Sequence, residues 1–142
     1  MSKNKKKIFS ILLIAVLSFG FFPRAYASDN LMFVVITATK SCSTCKSFEP
    51  ILEELENEYT GRIDFIKLDV SSHEQIEEAK QTAEDNGISR YFAENKGAVP
   101  KVGILCPGGT KVEKEFLGEI RKEVYEKTLD DLLSDPTQIC SL

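Results

Sequence analysis

Residues 31–55 of this 142-residue chain read LMFVVITATKSCSTCKSFEPILEEL, and this stretch decides the fold. It opens with Leu31–Thr37, a continuous run of apolar and β-branched side chains that is typical of a strand buried on both faces. Apolar residues then recur at helical spacing over Phe48–Tyr59, with glutamates between them, which predicts an amphipathic helix. Because Cys42 and Cys45 lie between the two patterns, a pair of cysteines is expected where a strand turns into a helix.

The rest of the chain continues to alternate between strand and helix patterns. Strands are predicted at Arg62–Val70, Val102–Leu105 and Lys111–Phe116, with a tight turn at Pro107-Gly108-Gly109 between the last two. A polar helix follows the N-cap pair Ser71-Ser72 and ends at Asn86-Gly87, a last helix covers Glu119–Leu133, and Ile88–Ala98 is expected to be irregular or partly helical. The order β-α-β-α-β-β-α predicts an α/β fold with a mixed central sheet and helices on both of its faces.

The first 27 residues have the three parts of a secretory signal peptide. Met1–Lys7 is basic, Ile8–Phe22 is an apolar run, and Ala25-Tyr26-Ala27 is a small-x-small cleavage site. A retained membrane anchor is the alternative, but about fifteen residues at ~1.5 Å each span only ~22 Å, short of a ~30 Å hydrocarbon core. We therefore expect cleavage before Ser28, export to the periplasm or the extracellular space, and a mature domain at residues 28–142.

The charge composition excludes nucleic acid as a partner. The chain has 18 basic and 22 acidic residues, and five of the basic ones lie in the first 27 residues, which contain no acid. The mature domain is left with 13 basic against 22 acidic residues, a net charge of −9. Because phosphate contacts need clustered Lys and Arg, the class of nucleic-acid-binding proteins is set aside.

The cysteine pair is in a position where a thiolate is stabilised. The N-terminus of a helix carries positive partial charge and unpaired N–H groups, and Lys40 and Lys46 add positive charge beside Cys42. A CxxC motif between a strand and a helix therefore indicates redox chemistry. Two alternatives remain open, namely a disulfide with only a structural role and a soft-metal site.

Both alternatives have an argument against them. A two-residue loop constrains the unfolded chain little, so stability is a weak reason for a bridge between Cys42 and Cys45. Zinc would need four ligands, and the predicted topology does not bring the remaining candidates Cys106, Cys140 and His73 together at the Cys42–Cys45 pair. Neither a metal nor an organic cofactor is therefore expected.

Over roughly Leu31–Leu133 the chain resembles the thioredoxin family. The segments that carry the resemblance are Cys42-Ser43-Thr44-Cys45-Lys46, Pro50, Lys67-Leu68-Asp69, Val99-Pro100 and Gly118. The resemblance implies a thioredoxin fold and thiol–disulfide oxidoreductase activity, with Cys42 as the nucleophile and Cys45 as the resolving thiol. It also implies a cis bond before Pro100, beside which Val99 pairs with an extended client peptide.

Three departures from the family pattern concern the surroundings of the cysteine pair. Ile36 stands where thioredoxins keep a buried acid that assists proton transfer to the second cysteine, so this task falls to Lys67 or to water. Ser43-Thr44 replaces the Gly-Pro of reducing thioredoxins and the Pro-His of strong oxidants, so the direction of electron flow stays open. The stretch from Lys67 to Pro100 is longer than in a minimal thioredoxin, which predicts an extra helix or loop beside the site.

The expected partners are client proteins that carry thiols or disulfides. Outside the cytoplasm, a membrane redox partner is expected to supply or accept the electrons, and the protein is expected to be a monomer. The competing interpretation is an exported thioredoxin-fold binding module in which the Cys42–Cys45 disulfide stays closed and has no catalytic role.

A second disulfide is predicted between Cys106 and Cys140. In a thioredoxin-like fold the strand after Pro100 runs ~16 Å away from the active site, so that Cys106 opens the hairpin at the opposite pole. The last helix then runs back ~22 Å, and the tail after Leu133 carries Cys140 to the same pole. Four cysteines fit two pairs in an oxidising compartment. The alternative is that both of these thiols are unpaired.

Overall fold

The computed structural model describes residues 29–135 and residue 140. Its elements follow in the order β1 (Leu31–Thr37), α1 (Ser43–Glu58), β2 (Ile63–Asp69), α2 (His73–Asp85), α3 (Ser89–Asn95), β3 (Lys101–Leu105), a 3-10 turn (Pro107–Gly109), β4 (Val112–Leu117) and α4 (Lys122–Ser134). The predicted signal peptide, residues 1–27, lies outside the described residues. Between residues 29 and 135, no helix combines the length and the hydropathy needed to cross a bilayer.

Strand β1 is an inner strand of a four-stranded sheet with the order β2-β1-β3-β4. It pairs in parallel with β2, from Leu31 opposite Ile63 to Thr37 opposite Asp69, and it pairs antiparallel with β3. Strand β4 forms the other edge and is antiparallel to β3. All seven residues of β1 are buried, in agreement with the unbroken apolar run. The mixed sheet expected from the sequence is confirmed.

Helices cover both faces of the sheet. Helices α1 and α4 pack on one face, where the buried cluster includes Phe33, Phe48 and Tyr125. Helices α2 and α3 pack on the other face, where a second buried cluster includes Ile36 and Tyr91. Strand β1 contributes alternate side chains to the two clusters, as the period of a strand requires. The expected arrangement of helices on both faces is confirmed.

Tyr125 attaches α4 to the sheet. Its ring centroid lies 5.5 Å from that of Phe33, 5.4 Å from that of Phe48 and 5.0 Å from that of Phe116. Its hydroxyl donates to the carbonyl oxygen of Glu119 at 2.8 Å, and burial raises the pKa of this phenol. The first turn of α4 and the loop before it are therefore held in a defined position relative to the sheet.

Helix α3 occupies the stretch that the sequence leaves as irregular or partly helical. It has no side-chain cap, and it is held by Tyr91 and Phe92, whose side chains are buried in the cluster on that face of the sheet. The observed order is β-α-β-α-α-β-β-α, one helix more than the predicted order. The additional helix lies between Lys67 and Pro100, where the sequence predicts extra structure.

Helix α4 begins at Lys122 rather than at Glu119, because Glu119 holds the preceding backbone outside the helix. Its Oε1 accepts the backbone N–H of Ile120 at 3.0 Å and that of Arg121 at 2.9 Å. Hydrogen bonds from the Arg121 guanidinium and backbone hold the pKa of the Glu119 carboxyl at about 2. The carboxylate therefore fixes the loop between β4 and α4 throughout the neutral pH range.

Gly103 in β3 is required by the ring of Tyr91, which lies against it. A Cβ at this position would overlap the phenol oxygen of Tyr91 and approach Leu105 Cδ1 to 2.7 Å. We therefore expect Gly103→Ala to lower the free energy of unfolding, measured by urea titration, by about 1–3 kcal/mol. Gly97→Ala is the matched control, because no described atom lies within 4 Å of a Cβ added there. Equal losses in the two variants would contradict this packing.

Candidate active site

The Cys42–Cys45 pair lies where the chain leaves β1 and enters α1. The carbonyl oxygen of Ala38 accepts the backbone N–H of Ser41 at 3.0 Å and that of Cys42 at 2.9 Å, which makes a tight turn directly after β1. Cys42 is the N-cap residue of α1, and Cys45 is in its first turn. The two residues are joined as a disulfide, with their Cα atoms 5.2 Å apart.

The two cysteines differ in exposure and in their hydrogen bonds. Cys45 is fully buried, with 0% of its surface exposed, whereas Cys42 is half-buried. The backbone N–H of Cys45 donates to Cys42 Sγ at 3.0 Å, as expected for a side chain that caps a helix. When the pair is reduced, this N–H and the helix dipole stabilise a thiolate on Cys42. The arrangement therefore distinguishes an accessible sulfur from a shielded one.

Two exposed lysines flank Cys42. Lys40 lies in the turn before it, and the backbone N–H of Lys40 donates to Ser71 Oγ at 3.2 Å. Lys46 follows Cys42 by four residues, which places the two side chains on the same face at the start of α1. Both ammonium groups add positive charge close to the accessible sulfur, which favours its thiolate form.

Val99 and Pro100 lie beside the turn that follows β1. The peptide bond between them is cis. Strand β3 pairs Lys101 with Ile36, so the preceding residue Pro100 lies next to the carboxyl end of β1. Pro100 is buried, and its carbonyl oxygen accepts the N–H of Gly118 at 2.9 Å. Val99 is half-buried, and it forms no backbone hydrogen bond with another residue of the described chain.

A cavity of about 270 Å³ lies behind Cys45. Its walls are formed by Cys45 together with Val35, Thr37, Thr39, Phe48, Glu49, Leu52, Glu53, Lys67 and Asp69. Ile36 does not line this cavity, because its side chain packs in the cluster on the opposite face of the sheet. The expectation that Ile36 takes the place of the family's buried acid is therefore wrong, and Val35 and Thr37 are the β1 residues at the cavity.

Lys67, which the sequence analysis gives as the alternative to water for proton transfer, lines the same cavity. Its Nζ lies 2.7 Å from Glu56 Oε2, and about half of its side chain is exposed. The lysine is thus at the outer wall of the cavity, where the half-buried carboxylate of Glu56 on α1 already binds it.

Asp69 supports the active-site turn, a role that the sequence analysis does not assign to it. Its carboxylate accepts hydrogen bonds from Thr39 Oγ1 at 3.1 Å, Gln75 Nε2 at 2.9 Å and the backbone N–H of Ser71 at 2.7 Å. It therefore joins the turn after β1 to the start of α2. The only signal in the sequence is an aspartate at a strand end followed by the helix cap Ser72, which does not indicate a contact with Thr39.

Cys106 and Cys140 are joined as a disulfide at the opposite pole of the domain, with their Cα atoms 5.5 Å apart. Glu113 lies against this bond, since its Oε1 accepts the backbone N–H of Cys140 at 3.2 Å and lies 3.5 Å from Cys106 Sγ. Lys111, 2.9 Å from the same oxygen, holds the pKa of the Glu113 carboxyl below its usual value. Because Cys106 is fully buried beside this anion, a thiolate there is disfavoured, which protects the bond from exchange.

A second cavity, of about 280 Å³, lies at the same pole as Cys140. Its walls come from the first described residues, the end of α4 and the hairpin, namely Asp29, Asn30, Leu31, Arg62, Pro107, Leu132, Leu133 and Cys140. No residue of the Cys42–Cys45 pair or of its surroundings takes part, so the two cavities belong to opposite ends of the sheet.

For a metal ion, the described residues bring one group of potential ligands together. Cys106, Glu113 and Cys140 have ligand atoms within 4.8 Å of one another. Both sulfur atoms are bonded to each other in the disulfide, so neither is the thiolate that a soft metal binds. His73, the remaining candidate, is at the start of α2 and is not part of this group.

The difference between the two cysteines predicts their order of alkylation. In the reduced protein at about pH 6, iodoacetamide is expected to modify Cys42 well before Cys45, because only the Cys42 thiolate is both accessible and stabilised. Peptide mapping by mass spectrometry at several times measures both rates in one sample. Equal rates, or faster modification of Cys45, would contradict the assignment of Cys42 as the attacking residue.

Comparison with known proteins finds thioredoxins, in agreement with the observed fold. The thioredoxin family model matches residues 16–91, more than half of the chain. Thioredoxin C-2 of Corynebacterium nephridii is 52% identical over 33 residues, which are 23% of this chain and 31% of that protein. Thioredoxin M4, chloroplastic, of Arabidopsis thaliana is 28% identical over 92 residues, which are 65% of this chain and 39% of that protein. The matched segments thus span less than half the length of these curated relatives.

Solved structures share the architecture. The germline-specific thioredoxin Deadhead of Drosophila melanogaster superposes with a TM-score of 0.53 at 19% identity, covering 89% of this chain and 93% of that one. The oxidised mitochondrial thioredoxin 3 of Saccharomyces cerevisiae superposes with a TM-score of 0.50 at 23% identity, covering 75% and 82%. At these identities the likeness concerns the fold, and together with the family match it leads to one conclusion: the chain belongs to the thioredoxin family.

Proposed function

We propose that this chain is an exported thiol–disulfide oxidoreductase that acts on client proteins through Cys42-Ser43-Thr44-Cys45. The observation that supports the proposal best is the asymmetry of the pair, in which a half-exposed Cys42 sulfur caps α1 while Cys45 is fully buried. Such an arrangement stabilises one attacking thiolate and shields the second sulfur until the first has reacted.

The proposed reaction consists of two exchange steps. In the reducing direction, the Cys42 thiolate attacks a client sulfur, the client disulfide breaks, and one client thiolate leaves and takes up a proton from water. Cys45 then loses its proton and attacks Cys42 Sγ, which breaks the mixed disulfide and releases the second client thiolate. The client gains two electrons and the Cys42–Cys45 pair is oxidised. The same steps in reverse oxidise a client dithiol.

The cavity behind Cys45 provides a route for the proton that this residue must lose. Cys45 forms one wall of it, and the β1 residues Val35 and Thr37 supply no carboxyl group there. We therefore assign the proton to water in the cavity, with the Lys67 ammonium and the Asp69 carboxylate at the walls.

We place the client-binding edge at Val99, Pro100 and the end of β4. Because the backbone of Val99 has no partner in the described chain, it is free to pair with an extended client segment. Leu117 is 65% exposed and directly precedes Gly118, whose N–H binds the Pro100 carbonyl. A large apolar side chain this exposed, beside the Pro100 segment, supports contact with a client.

Equilibration with glutathione buffers tests the proposed function. We expect the Cys42–Cys45 pair to titrate reversibly with a potential between about −120 and −270 mV, the range of catalytic dithiols. The Cys106–Cys140 disulfide is the internal control, because its buried sulfur beside Glu113 is expected to stay oxidised over the same range. The titrated potential also reports the direction of electron flow.

The same titration separates the oxidoreductase from the alternative function. A binding module would keep the Cys42–Cys45 disulfide closed until the protein unfolds, and this result would overturn the proposed activity. Alkylation of quenched samples followed by peptide mapping reports the two disulfides separately, so loss of the fold is recognised by simultaneous opening of both.

We further propose that the chain is exported, that it is cleaved before Ser28, and that residues 28–142 form the mature monomer. This proposal depends on the pattern of residues 1–27. The Cys106–Cys140 disulfide supports export, because such bonds persist in oxidising compartments. In that location, renewal of the Cys42–Cys45 pair requires a membrane redox partner, either a donor for a reductant or an acceptor for an oxidant.

Processing of the N-terminus can be measured directly. When the full chain is expressed in a secreting host, we expect the exported protein to begin at Ser28, because Ala25 and Ala27 form the small-x-small site. Mass spectrometry of the N-terminal peptide gives the first residue. A variant with Ala25→Leu and Ala27→Leu should accumulate unprocessed, and recovery of the unaltered full-length chain in membranes would indicate a retained anchor instead.

A further inference from the structure

Most cations in the described part of the chain are paired with carboxylates. The ion-paired residues are Lys67, Lys80, Arg90, Lys101, Lys111, Arg121, Lys122 and Lys127. Arg62 donates to the Glu58 carbonyl and stacks on the ring of Tyr59. The remaining four, namely Lys40, Lys46, Lys96 and Lys114, are exposed and form no ion pair within residues 29–135. In a domain with 13 basic and 22 acidic residues, unpaired lysines are the exception.

Two of these four lysines lie around the candidate active site. Lys40 is in the turn that ends at Cys42, and Lys46 lies on the same face of α1 as Cys42. Lys96, the C-cap residue of α3, is instead close enough to Glu77 of α2 to help lower the pKa of that carboxyl. The fourth, Lys114, is opposite Ile104 in the middle of β4, away from the cysteine pair.

The acidic groups near the cysteine pair are either ion-paired or lie at the cavity on the Cys45 side. The neutralised pairs are Lys101–Glu115 at 3.1 Å and Arg121–Glu119 at 2.6 Å. Asp69 lies behind the turn, where it binds the Thr39 hydroxyl. Glu49 and Glu53 are exposed on α1 and line the cavity behind Cys45. The unpaired charges that flank Cys42 itself are the ammonium groups of Lys40 and Lys46, which make the potential beside its sulfur positive.

We propose that the preferred clients are extended cystine segments with Asp or Glu next to the reacting cysteine. This inference rests on the proposed oxidoreductase function and adds the class of client. The positive potential around Cys42 steers an anionic segment toward the thiolate, and the exposed apolar side chain of Leu117 gives the segment a contact beside Pro100. A segment with lysines at the same positions meets like charge on both sides of Cys42.

Two cystine peptides that differ only in the residues flanking one cysteine, Asp-Glu in one and Lys-Lys in the other, provide the test. The pre-reduced full domain is mixed with each peptide, and the second-order rate constant of a single turnover is measured by stopped flow. We expect the acidic peptide to react about tenfold faster at low salt, and the difference to shrink below about twofold at about 0.5 M salt.

Charge reversal shows which groups cause the preference. The double variant Lys40→Glu/Lys46→Glu is expected to reverse it, so that the lysine peptide reacts faster. Lys114→Glu is the matched control, because it changes an equally unpaired lysine away from the pair and should leave the ratio unchanged. The ratio of the two rates is the readout, since it cancels any change in the reactivity of the Cys42 thiolate common to both peptides.

Each outcome has one meaning. A ratio near one in the unaltered protein, or a ratio that Lys114→Glu changes as much as the double variant does, would overturn the client class while leaving the oxidoreductase function in place. If the reduced domain reduces neither peptide and the oxidised domain oxidises neither peptide in its dithiol form, the function itself is contradicted. If the double variant is unfolded by circular dichroism, Lys40→Gln/Lys46→Gln replaces it, and the ratio is then expected to approach one.

Discussion

Strand β1 has no exposed side, and this constraint determines where the reactive groups are placed. It lies between β2 and β3 in the sheet and between helices on both faces, so all seven of its residues are buried. Its carboxyl end coincides with the end of β2 in the parallel register and with the start of β3 in the antiparallel one. The turn with Cys42, the carboxylate of Asp69 and the Val99–Pro100 segment meet at that point because each follows or precedes a strand that ends there.

The burial of apolar side chains made the main helices and strands predictable from the sequence, but it did not allow the β1 residues at the cavity to be identified. The strands and the first helix follow from apolar periodicity, and the Cys42–Cys45 pair follows from its CxxC spacing between a strand and a helix. The Cys106–Cys140 pair follows from chain reach within the fold that the family resemblance implies. An inward and an outward face can be told apart in a strand only when one of them is polar. Because β1 is apolar on both faces, its pattern could not show that Val35 and Thr37, rather than Ile36, lie at the cavity behind Cys45.

Contacts between residues distant in sequence account for the other differences. Helix α3 has seven residues and no side-chain cap, so its local pattern is too short to predict a helix, and the burial of its aromatic rings decides its structure. The bond from Thr39 to Asp69 joins residues 30 positions apart and has no local signature. The electrostatic surroundings of the two disulfides come from residues close in sequence. A backbone N–H donates to the Cys42 sulfur, and the Glu113 carboxylate lies beside the Cys106 sulfur.

Asp29 and Cys140 lie on the side of the domain away from Cys42, since both border one cavity there and β1 separates it from the active-site turn by ~20 Å. Anything joined to the domain through these residues, whether a lipid-embedded segment, a fused domain or a solid support, therefore leaves the reactive sulfur pointing outward. Attachment through these residues would hold Cys42 on the side away from the tether, so that large clients could still reach it.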